Sequence, residues 1–221
     1  DQSLELNPNY DHSWFAKGEE LWEMGRFEDA RDALNNALIM NPYFDEAWVL
    51  RAQVVLRMGQ HDEAEFCYSE ALRCHDLMIQ SNPGAIEPLL NKGKLLKELK
   101  RYEESLISYE EAIRLKNDSR DSWLAKLELL YNLEDYQGLI KACKEAKASN
   151  IEDFKVWHYM GMALAALNSK EEALAALDNA LRLEDHPEVL CEKAKVLSRL
   201  RRWDESLSAA NSAIEKGFPC W

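Results

Sequence analysis

Five histidines, five cysteines and forty carboxylates are the side chains of this 221-residue sequence that could break bonds or hold a metal. His12, His61, His75, His158 and His186 form no HExxH pair, the spacing that sets two imidazoles on one helix face for zinc. There is no pair of CxxC motifs. Cys67 and Cys74 stand seven residues apart, roughly 10 Å along a helix and too far to share an ion. Cys143 falls at an inward place and reads as a small core residue. No glycine-rich phosphate loop and no GxSxG occur. Adjacent carboxylates such as Glu19-Glu20 and Glu171-Glu172 read as solvated helix exteriors. The expectation is a chain that is not an enzyme, with no catalytic residues, no metal and no cofactor. The chemistry left to it is non-covalent binding.

The elements that would position binding side chains show in the spacing of tryptophans. Trp14 and Trp48 are 34 residues apart, as are Trp123 and Trp157. Small and apolar residues recur with them: Gly18, Leu21, Gly25, Ala30, Leu34 and Ala37 in the first unit, and Gly161, Leu164, Ala173, Leu177 and Ala180 in the fifth. A fixed period of this length marks stacked helical hairpins, which cannot bury their apolar faces singly. Helices are predicted over 11–24, 27–40, 45–58, 61–80, 86–99, 102–115, 120–133, 136–148, 154–167, 170–183, 187–200 and 203–216. Gly25 and Gly59 fall at turns inside hairpins, and Pro88 and Pro187 in first helical turns, where a missing N–H costs nothing. The step from Trp48 to Leu89 is 41 residues, which predicts a second helix lengthened by about two turns in the second unit. Leu127 and Leu139 occupy places usually taken by small residues, so the two helices of the fourth unit are expected to sit further apart.

This pattern resembles the tetratricopeptide repeat (TPR) family across nearly the whole chain. The resemblance implies an all-α fold, a right-handed superhelical α-solenoid of about six helix-turn-helix hairpins. The units read as 11–44, 45–85 with the extended second helix, 86–119, 120–153, 154–186 and 187–217. Residues 1–10 read as the tail of a preceding repeat, or as an N-terminal cap, and 218–221 as an apolar tail. A chain cut from a longer protein is therefore expected. The composition, 47% apolar and 30% charged, fits a packed fold. The net charge of −13 argues against a nucleic-acid partner. No apolar window long enough for membrane insertion appears. An odd count of cysteines without framework spacing points to a reducing compartment, so a cytoplasmic location is expected.

The resemblance also implies that the first helix of each hairpin lines a concave groove. Carried over, the candidate peptide-binding residues are Phe15, Glu19 and Trp22 in the first unit, and Val49, Gln53 and Leu56 in the second. They continue with Leu90, Lys94 and Lys97, then Leu124, Glu128 and Tyr131, then His158 and Met162, and finally Lys195 and Arg199. The stripe has an apolar floor and charged rims, which suits a helix or extended peptide. Trp22 and Tyr131 are the better anchors, because aromatics dominate interface hot spots. The TPR clamp for chaperone carboxylates is absent: its places read Phe15, Glu19, Leu50, Glu87 and Asn91. So is the asparagine ladder of another subclass, whose places read Ala16, Leu50, Asn91, Ala125, Tyr159 and Glu192. The expected function is a protein-protein interaction scaffold. Two alternatives stand beside it: a regulatory or targeting region of a larger multidomain enzyme, and a self-assembly module forming homo-oligomers through its terminal repeats.

Overall fold

Small residues on one helix facing large ones on the next decide how these helices pair. The computed structural model describes residues 11–218. Among them lie twelve α-helices and no strand: α1 (Asp11–Glu23), α2 (Phe27–Met40), α3 (Asp45–Arg57), α4 (His61–Ser81), α5 (Glu87–Glu98) and α6 (Tyr102–Leu115), then α7 (Arg120–Asn132), α8 (Tyr136–Ala148), α9 (Phe154–Ala166), α10 (Lys170–Leu183), α11 (Pro187–Arg199) and α12 (Trp203–Glu215). The chain divides into two compact units, Asp1–Lys92 and Gly93–Trp221, with the division falling inside α5. The core of the first unit gathers Leu21, Ala30, Leu34, Ala37, Phe44, Ala47 and Val54. That of the second gathers Trp123, Leu127, Leu139, Cys143, Val156, Leu177, Val189 and Leu197.

Within a hairpin the contact recurs at a separation of sixteen residues. A Cβ on Gly18 would stand 2.8 Å from Leu34 Cγ, and one on Gly161 2.7 Å from Leu177 Cγ. Gly93 lies likewise against the ring of the fully buried Tyr109. At these three places a Cβ would meet its neighbour too closely, so glycine fits without a shift. The fourth hairpin departs from the pattern. It carries Leu127 and Leu139, both fully buried, with the small Cys143 in the facing place. The backbones of α7 and α8 accordingly approach one another less than those of α1 and α2, α3 and α4, α9 and α10, or α11 and α12.

Tryptophan joins one hairpin to the turn before it. Trp48 Nε1 donates to Pro42 O at 2.9 Å and Trp123 Nε1 to Asn117 O at 2.7 Å. The lengthened α4 runs to Ser81, where Asn82 and the following turn end it.

The turn inside every hairpin is one motif. Gly25, Gly59, Lys100, Glu134, Asn168 and Arg201 have positive φ. Each donates its N–H three residues back, and the next residue donates five back, as in Glu134 N to Tyr131 O at 3.0 Å and Asp135 N to Leu130 O at 3.1 Å. This double bond pattern satisfies the last carbonyls of the first helix. Residues with a Cβ pay about 1–2 kcal/mol in this region of φ. Glu134→Gly is therefore expected to stabilise the second unit by roughly 1 kcal/mol, once the extra freedom of an unfolded glycine is set against the relief. Gly59→Ala should destabilise the first unit by a similar amount. Urea unfolding of each variant checks both signs, and a Glu134→Gly variant no more stable than the parent would contradict the assignment of strain.

Candidate functional site

In the second unit α7 and α9 pack side by side, as do α9 and α11. Their common face is a cleft of about 570 Å³. α7 supplies Glu128, Tyr131 and Asn132. α9 supplies Phe154, Lys155, His158, Tyr159 and Met162, and α11 supplies Glu188, Cys191, Glu192 and Lys195. Phe218 closes one side. The helical period places them: on α9, residues 155, 158, 159 and 162 fall on one stripe.

The floor is aromatic. The Tyr131 ring lies 5.9 Å from that of Tyr159 and 6.5 Å from that of Tyr136. Burial pushes the Tyr159 phenol up to about 12 and raises that of Tyr131. Both hydroxyls therefore stay protonated and can donate.

Two rim cations are already engaged. Lys97 Nζ donates to Glu128 at 2.9 Å, a bond that raises the lysine above its ordinary value. Lys195 Nζ donates to Glu192 at 2.7 Å. Arg101 and Arg202 pair within their own helix starts, with Glu104 and Glu205. Exposed pairs of this kind contribute little, a median of about 0–1 kcal/mol.

The imidazoles are different. His158 is 9% exposed, and its Nε2 has no hydrogen-bond partner among the described residues. The same holds for Nδ1 of His186, whose ring stacks on Phe154 at 4.9 Å between centroids. A buried polar atom without a partner costs about 1–3 kcal/mol and is satisfied when a ligand supplies one. Burial lowers the pKa of His158, against the charges of Glu192 and Glu188, which raise it. It is therefore a neutral imidazole, able to donate or accept at Nε2 according to tautomer.

Of the sixteen residues read from the sequence, the cleft brings together Glu128, Tyr131, His158, Met162 and Lys195. Lys97 reaches its edge through Glu128. Lys94 and Arg199 are exposed, and Leu124 is half-buried against the core of its own unit. The other seven belong to the first unit. There Phe15 packs on Phe44 at 4.9 Å, and Trp22 stands against Phe27 at 5.3 Å with the Arg57 guanidinium 6.0 Å from its ring. Leu90 is buried, Val49 and Gln53 half-buried, and Glu19 and Leu56 exposed. A smaller cleft of about 370 Å³ in that unit lies on the α1–α2 seam, lined by Trp14, Met24, Arg26 and Asp29 among others, and none of the sixteen lines it.

Phe154, Tyr159, Glu192 and Phe218 line the larger cleft without having been read as groove residues. Tyr159 and Glu192 stand one place along from His158 and Cys191, at the asparagine-ladder places, so the signal lay in the adjacent stripe. Among the described residues no three His, Cys, Asp or Glu side chains are grouped to hold a metal, and no helix is long and apolar enough to cross a membrane. Cys67, Cys74 and Cys143 are free and buried, whereas Cys191 is disulfide-bonded, which an odd count without framework spacing does not suggest.

Comparison with known proteins accords with this architecture. One tetratricopeptide repeat model matches residues 15–77 and 160–219, and a second matches 86–119. Anaphase-promoting complex subunit 7 of Homo sapiens is 25% identical over 167 residues, and that of Mus musculus likewise. The match takes in 69% of this chain but 27% of the relative, so the chain spans about a quarter of the length of these relatives. Among solved structures, MamA has a TM-score of 0.60 at 16% identity, covering 72% of this chain and 94% of its own. A chain of the APC/C hetero-tetramer Cut9-Hcn1 has a TM-score of 0.56 at 19% identity, with 96% of this chain and 41% of that one covered. The chain belongs to the tetratricopeptide repeat family. It is a protein-interaction scaffold in a fold that typically carries no catalysis.

The imidazole of the cleft has a measurable consequence. Folding favours neutral His158, while the unfolded chain takes up its proton near the ordinary 6.5. Stability from this site is thus fully present above about pH 6.5 and is lost as pH falls toward the lowered folded value. Denaturation of wild type and His158→Gln between pH 7.5 and pH 5 should show the wild type losing more stability than the variant. Parallel pH dependences would contradict a buried neutral imidazole.

Proposed function

We propose that this tetratricopeptide repeat chain holds a segment of a partner protein across α7, α9 and α11. The observation that carries the reading is the combination in one cleft of an aromatic floor, charged rims and the buried, unpartnered Nε2 of His158. The segment inserts one apolar or aromatic side chain over Tyr131, Tyr159 and Met162. It supplies a hydrogen-bonding group to His158, and its rim contacts compete with the Lys97–Glu128 and Lys195–Glu192 pairs. Because those cations already have carboxylate partners, apolar burial and the His158 bond supply the affinity, with charge setting register. Val49, Gln53 and Leu56 of the first unit serve as a separate contact surface in this reading, with Phe15, Trp22 and the buried Leu90 acting through packing.

The span of the match favours one second reading. The curated relatives are subunits of a multi-protein complex and are far longer than this chain. The chain then works as the interaction region of a larger protein, whether or not that protein is an enzyme.

A random peptide library panned on the intact chain tests the cleft. Selected peptides are expected to lose about tenfold or more in affinity on Met162→Glu or Tyr131→Ala, a loss of roughly 1.4 kcal/mol. They should keep their affinity on Leu56→Glu in the first unit. Peptides that bind all three variants as they bind the wild type would overturn the assignment.

A further inference from the structure

His158 sits on α9, the middle of the three helices that form the cleft, with α7 on one side and α11 on the other. Its Nε2 is buried and has no hydrogen-bond partner among the described residues. Charged groups surround it. α11 brings Glu188, Glu192 and Lys195, the N-cap of α11 brings His186, α7 brings Glu128, and Lys155 stands one turn earlier on α9 itself. Tyr131 and Tyr159 are the other titratable groups of the cleft, and both stay protonated.

These charges are not equivalent. The carboxylates of Glu192 and Glu188 act on His158 most strongly, and His186 and Lys195 oppose them more weakly. Glu128, Lys155 and the charges of α8 and α10 weigh less at the ring than these four. Glu128 already pairs with Lys97, and Glu192 with Lys195. Glu188 is exposed and has no cation partner among the described residues. A partner carboxylate brought to Nε2 would therefore face two like charges, and the nearer lysine is already held. A cation would meet the opposite arrangement: a lone pair on a neutral imidazole, an unengaged carboxylate and the faces of two tyrosine rings.

We infer that the group a partner segment presents to His158 is a cationic side chain, a lysine or arginine, which donates to Nε2 and pairs with Glu188. This rests on the docking of a segment across α7, α9 and α11 proposed above, and it gives the residue beside the apolar anchor its charge. The net charge of −13 favours the approach of such a segment at low salt. The cation requires the neutral ring, because a protonated His158 has no lone pair and repels it. Binding therefore weakens as pH falls, the reverse of what a partner carboxylate would show.

The probe is a displayed random peptide library panned on the intact chain, with the selected peptides then synthesised with amidated ends. They are expected to carry a lysine or arginine at a fixed distance from an apolar or aromatic residue. Replacing that cation by glutamine should cost about tenfold or more in affinity for the wild type and much less for Glu188→Gln. Exchanging lysine and arginine in the peptide shows which of the two the site takes. Affinity should fall as pH is lowered from 7.5 to 5, and His158→Gln, which keeps an acceptor that does not titrate, should flatten that fall. Circular dichroism checks that both variants remain folded. Peptides that lose affinity on Met162→Glu but carry no cation, or tolerate glutamine in its place, would overturn the inference and leave the cleft reading standing. Peptides indifferent to Met162→Glu, or a panning that yields none, would overturn both. Selected peptides with an acidic residue that bind more tightly at pH 5 than at pH 7.5 would give the place to a carboxylate on a protonated ring.

Discussion

Close approach of paired helices is the constraint on which the rest of this molecule depends. A glycine on the first helix and a large side chain sixteen residues later occupy one another's space at Gly18 and Leu34, Gly93 and Tyr109, and Gly161 and Leu177. Interiors packed to the density of organic crystals leave little room for error there. Where the sizes change, at Leu127, Leu139 and Cys143, the helices stand wider but the core stays filled. The repeated Schellman-type turn then fixes where the second helix starts, and the indoles of Trp48 and Trp123 tie the second and fourth hairpins to the turns before them.

Function follows from what that packing leaves over. Pairing within and between hairpins uses the second helices and one side of each first helix. In the second unit the remaining side of α7, α9 and α11 becomes a shared surface. Most of its charge is neutralised internally. The polar atom of this surface left buried without a partner among the described residues is His158 Nε2.

The architecture was readable in the sequence because its signals are local and periodic. The observed helices begin and end within one residue of the expected ones, and the lengthened α4 runs from His61 to Ser81. Gly25 and Gly59 announced two of the left-handed turns. Lys100, Glu134 and Arg201 did not, because the motif imposes that backbone on residues with no preference for it, whereas Asn168 is of a type that adopts it readily. The surface was less legible. A stripe at helical spacing does not reveal which neighbour leans over it. Phe15 is drawn onto Phe44 and Leu90 is buried, whereas Tyr159 and Glu192, one place to the side, open into the cleft. Lys97, read as a groove residue, is paired because Glu128 of α7 reaches it on α5, a contact that separation in sequence conceals.

A double-mutant cycle at Gly161 and Leu177 tests the packing claim most directly. Native-state hydrogen exchange at α9 and α10 amides reads the local stability without assuming that the whole chain unfolds at once. Gly161→Ala should cost about 1–3 kcal/mol through crowding and Leu177→Ala about 2–5 kcal/mol through the void it leaves. In the double variant the new methyl occupies part of that void. The summed cost should therefore fall short of additivity by about 0.5 kcal/mol or more. Strict additivity would mean that the two residues do not share a space, and that something other than this contact sets the spacing of the helices.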